Sequence, residues 1–71
     1  MFNKETVVHL IGDPCLKLVH KGEGCWCFEF DDRGLVGTKT VQVKRLNDLP
    51  LDTWLNDGRT FAAAMRAQRE R

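Results

Sequence analysis

The 71-residue sequence predicts an α+β domain: a small antiparallel four-stranded sheet in the order β-β-β-β-α, able to curl toward a barrel, with one C-terminal amphipathic helix on one face. Two observations carry this. The first 45 residues alternate short runs of β-branched, apolar and aromatic residues with turn residues. From Leu51 onward the apolar spacing changes from a strand period to a helical one. Length adds a bound, because a chain this short forms a single domain, here residues 1–71.

The elements follow in order. "TVVHLI" is rich in β-branched residues and predicts a first strand over residues 5–11, closed by the turn signal "GDP". "CLKLVH" predicts a second strand over 15–20, and Gly22-Glu23 fits a two-residue type II′ hairpin turn. "CWCFEF" predicts the third strand, 25–30, broken by "DDRG". "TKTVQVKR" alternates, with Val41 and Val43 on one side and Thr40, Gln42 and Lys44 on the other, and predicts a fourth strand over 38–45. Leu51, Trp54, Leu55, Gly58, Phe61, Ala62 and Met65 then fall on one face of a helix over 51–68. Gly58 lies on that face, where a missing side chain lets the helix backbone approach a sheet. This favours one helix over two short ones broken at Asp57-Gly58.

A turn at Gly22-Glu23 pairs residues whose numbers sum to 45. Val19 then faces Trp26, Lys17 faces Phe28 and Cys15 faces Phe30, while His20 and Leu18 face Cys25 and Cys27 on the other side. Trp26, Phe28 and Phe30 share a face that Trp54, Phe61 and Met65 need for cover. Burial of such rings is the largest gain open to so small a core, so they are expected beneath the helix. A base-stacking platform would need exposed rings and basic neighbours, whereas Glu29, Asp31 and Asp32 adjoin these.

The same register leaves apolar residues on the second face, Val7, Leu16 and Leu18 foremost. One helix covers one side of a sheet, so that face calls for a second copy, another protein or closure of the sheet.

Chemistry finds little support. The chain contains no serine, and neither "GDP" nor "GEG" opens a helix as a phosphate-binding loop would. Cys25 and Cys27, with His20 opposite, could supply three metal ligands but no fourth, and structural zinc sites use paired knuckles. An odd count of three cysteines reads as free thiols in a reducing compartment. No metal, cofactor or enzymatic activity is expected. Nor is a membrane span, since no apolar run approaches the roughly 18 residues required. A cytoplasmic location is the default expectation.

Net charge is +1, but it is unevenly placed. Residues 1–58 carry 7 Lys+Arg and 9 Asp+Glu, a net of −2, and residues 59–71 carry 4 Arg and 1 Glu, a net of +3. The reading that results is a small non-enzymatic protein-binding module or regulator. It would act as a homodimer or dock on a larger partner, through a face bearing Val7, Leu16 and Leu18. The alternative is a nucleic-acid-binding regulatory protein. It would use a basic stripe of Lys44 and Arg45 on the fourth strand and Arg59, Arg66 and Arg69 on the helix.

Overall fold

In the computed structural model, which describes residues 1–69, the chain runs α1 (Lys4–Ile11), β1 (Leu16–Gly22), β2 (Cys25–Asp32), β3 (Leu35–Val41), a 3₁₀ turn (Leu46–Asp48) and α2 (Leu51–Arg69). The α+β class, the antiparallel sheet and the C-terminal helix are as expected. The sheet has three strands rather than four, in the order β1-β2-β3, and it stays open rather than curling into a barrel.

The missing strand is α1. Residues 5–11, expected as a strand, are helical because both ends of the segment are capped. The Asn3 carboxamide oxygen accepts from the Thr6 N–H at 2.8 Å and the Thr6 hydroxyl at 2.9 Å. At the other end Gly12 takes φ 74°, and its N–H donates to the Val8 carbonyl at 3.0 Å. Pro14 beyond it cannot continue a helix. Val7 and Ile11 are four residues apart and so share one helical face. Val7 is fully buried and Ile11 packs at the margin of the core. This face outweighs the modest strand preference of the β-branched residues.

The second difference is register. The β1–β2 turn is Glu23-Gly24, with Gly24 at φ 73°, one residue later than expected. That alone would pair residues summing to 47 and leave every side chain on its expected face. Gly22 does pair with Cys25, but a bulge at Lys21 then shifts the ladder, so that His20 pairs with Trp26, Leu18 with Phe28 and Leu16 with Phe30. The sum becomes 46, and β1 is turned over. The reason lies in the side chains. The expected register set Lys17 opposite Phe28 in the core. The observed one sets Leu16 and Leu18 there and moves Lys17 to solvent.

The second hairpin has an uninterrupted ladder from Asp32–Leu35 to Trp26–Val41. Its turn residues Arg33 and Gly34 have φ 49° and 90°, the two positive values that a type I′ turn requires. β3 therefore starts at Leu35 and ends at Val41, and Lys44 and Arg45 lie beyond it rather than on a strand.

Both helices cover one face of the sheet. α2 is continuous over 19 residues and buries Trp54, Gly58, Ala62 and Met65. Trp54 meets Trp26 and Phe28 edge-on, with ring centroids 6.1 and 6.0 Å apart, and its indole N–H donates to the Leu46 carbonyl at 2.7 Å. Phe61 meets Phe30 at 6.5 Å. A Cβ at Gly58 would collide with the Ile11 side chain and lie 3.0 Å from the Phe28 ring. Gly58 is thus where α2 comes closest to both α1 and β2.

Candidate interaction edge

Val7, Leu16 and Leu18, expected on a face open to a partner, are 0, 2 and 4% exposed inside the domain's own core. They are unavailable for docking. Val7 points inward from a helix, and the Lys21 bulge turns Leu16 and Leu18 beneath it. The uncovered face of the sheet instead carries Lys17, Val19, Cys25, Cys27, Glu29, Asp31, Val36, Thr38 and Thr40. It is largely polar at its margins, and Lys21 reaches Glu29 there at 2.9 Å. The Glu29 carboxylate, through that hydrogen bond and then its charge, holds the Lys21 ammonium above its usual pKa.

The helical arginines turn inward to the protein's own carbonyls and carboxylates. Arg59 donates to the Leu10 carbonyl at 3.2 Å, satisfying the end of α1. Arg66 grips Asp13 with two hydrogen bonds, at 2.7 and 3.2 Å, lies 3.7 Å from Asp32, and sits 5.4 Å above the Phe30 ring. Arg69 lies 3.6 Å from Asp32 and donates to the carbonyls of Asp32 and Arg33. Partial burial pushes the Asp13 carboxyl up, but hydrogen bonds from Arg66 and the Cys15 N–H, with the arginine charge, outweigh it and leave the pKa below the ordinary value. Of the five basic residues expected to reach nucleic acid, Lys44 and Arg45 are exposed and, among the described residues, form no ion pair; the Arg45 backbone N–H donates to Asp48. Glu70 and Arg71, which complete the basic tail, lie outside the described residues.

The thiols and the imidazole are separated. His20 lies on the core side, stacked on Trp26 at 4.2 Å, while Cys25 and Cys27 face the other way. All three cysteines are free, and Cys27 is buried between Val19 and Thr40 of the flanking strands. Among the described residues no group of three or more His, Cys, Asp or Glu side chains could hold a metal. No helix among them is long and apolar enough to cross a membrane. An open groove of about 520 Å³ lies between α1 and β1, lined by Lys4, Glu5, Val8, His9 and Lys17 among others.

What remains is the rim of the sheet. Both β1 and β3 are edge strands, and they differ. β1 is broken by its bulge and carries Lys17 and Lys21, two devices that discourage strand pairing. β3, "LVGTKTV", pairs with β2 along its full length without a bulge and contains no proline. Its single charge, Lys39, faces the helices and lies 3.9 Å from Asp57. Val36 is 65% exposed, and Thr38 and Thr40 are exposed beside it. Asp32–Leu35 closes a two-residue hairpin and so is a mutually hydrogen-bonded pair. Alternation along the ladder then points the N–H and C=O of Val36, Thr38 and Thr40 outward. Among the described residues no loop or turn backbone bonds to these groups.

The sequence reading passed over this edge. Its signal lies in the alternation of valine and threonine with little charge, though the strand begins at Leu35, three residues before the expected 38. Comparison of the chain with protein-family models, with curated proteins and with solved structures finds no match.

Proposed function

We propose that the protein is a non-enzymatic interaction module, a small regulator that binds another polypeptide by strand addition at the β3 edge. The observation that carries this is the contrast between the two rims: β1 is broken by a bulge and carries two lysines, whereas β3 is regular, carries one charge, on its helical face, and is unpaired on its outer side. An edge of that kind is a template for a further strand, with main-chain bonds supplying affinity and alternate side chains supplying choice. Val36, Thr38 and Thr40, not the buried Val7, Leu16 and Leu18, would meet the partner. A nucleic-acid function loses its support, since Arg59, Arg66 and Arg69 are engaged within the domain and two exposed cations do not make a phosphate-tracking groove.

Thr38→Pro tests the proposal. It deletes an outward N–H from an edge strand while the β2 ladder keeps its own bonds. Crosslinking in the native host, with wild type and variant as baits and Lys17→Ala as control, should give adducts at residues 35–41 that Thr38→Pro loses and Lys17→Ala keeps. Adducts that map elsewhere, or that Thr38→Pro retains, would overturn the reading.

A further inference from the structure

Resting on that reading, we infer that the strand added to β3 is the β3 of a second copy, paired antiparallel about a two-fold axis through Thr38. A two-fold interface must be complementary to itself. Centred on Thr38, the strand meets that condition. Thr38 faces Thr38 of the other copy, and Val36 faces Thr40 on either side. Because the N–H and C=O of these three residues all point outward, each facing pair exchanges hydrogen bonds.

The side chains agree with the backbone. On the uncovered face the exposed Val36 packs beside a threonine methyl, and the central threonines meet across the axis. On the helical face Gly37 stands opposite Lys39 of the other copy, so lysine does not meet lysine. No like charges oppose one another anywhere along the strand. The result is a continuous sheet of twice three strands with both pairs of helices on the same side.

The other rim is less suited to such pairing. An antiparallel pairing of β1 about Val19 would set Lys17 against Lys21 of the second copy at both ends. The bulge at Lys21 would also interrupt the ladder. The uninterrupted ladder of β3 therefore favours it over β1 for self-pairing.

Charge exchange at the axis tests this. Thr38→Lys and Thr38→Glu each place two like charges face to face at the two-fold, on a side chain that the isolated domain exposes to water. Sedimentation of the full chain should show a dimer for wild type. Each variant should be a folded monomer with dissociation about tenfold weaker or more. An equimolar mixture of the two should restore a dimer, now mixed, as lysine meets glutamate. Lys17→Glu should leave the wild-type dimer intact. A wild-type monomer at every concentration overturns self-pairing; strand addition itself then stands or falls on the Thr38→Pro crosslinks. A dimer that both Thr38 variants retain also overturns it, by placing the contact elsewhere.

Discussion

Two glycines make opposite demands on their neighbours. At Gly58 an added methyl would press on Ile11 and lie 3.0 Å from the ring of Phe28, which is fully buried and cannot step aside. The substitution Gly58→Ala would ordinarily favour a helix interior by about 1 kcal/mol. Overpacking costs about 1–3 kcal/mol, so it wins here, and α2 would be forced off the sheet. At Gly37 the added methyl would meet the Met65 thioether end at 2.6 Å, but a methionine tip can swing away. Urea unfolding should therefore show Gly58→Ala clearly destabilised, and Gly37→Ala within about 1 kcal/mol of wild type. The need for a glycine at position 58 was readable from its place on the apolar stripe of the helix. That its tightest neighbour is a side chain of α1 was not, because α1 itself reads as a strand.

Among the elements, α1 is the one whose identity turns on its ends. Its interior, Thr6-Val7-Val8, has strand character, and eight residues are too few for a helix to be stable alone. The caps and the burial of Val7 decide it. Asn3→Ala removes both hydrogen bonds at the start and should cost about 0.5–2 kcal/mol, measured by chemical denaturation. Near-wild-type stability would mean that packing alone holds α1. The stop signal was legible: Gly12 with Pro14 two positions on is a common way for a helix to end. It also resembles a hairpin turn, and the β-branched run before it favours that misreading. β1 shows a related ambiguity. Moving the turn by one residue leaves the faces unchanged, whereas one bulged residue exchanges them. No local feature of "HKGEGC" distinguishes a continuous ladder from one bulged at Lys21.

At the scale of the molecule, Asp13 and Arg66 tie the α1–β1 connection to the far end of α2, 53 positions away. The Asp13 carboxyl has a lowered pKa in the folded protein, so it contributes stability above the pKa it would have when unfolded. That contribution fades as pH falls through the lower, folded value. Asp13→Asn should thus reduce stability by about 1 kcal/mol at neutral pH, the pair being partly open to solvent. The two proteins should converge as pH falls through the lowered Asp13 pKa, where the wild-type carboxyl is itself protonated. Thermal melts between pH 7 and pH 2 would show it, and parallel curves would exclude the linkage.

Period and turn chemistry act over a few neighbours. That is why α2 with its buried face, the location of β2 and the burial of Trp26, Phe28 and Phe30 could be read from residue order alone. The facing of β1 and the helical state of residues 4–11 could not be so read. A strand of period two has two equally regular sides, and a short β-branched run can adopt either state. Which one forms depended on apolar partners distant in the chain: Phe28 and Phe30 for Leu18 and Leu16, and α2 for Val7 and Ile11. Distant polar groups likewise hold Arg59, Arg66 and Arg69, at Leu10, Asp13 and Arg33, beyond the reach of any local pattern.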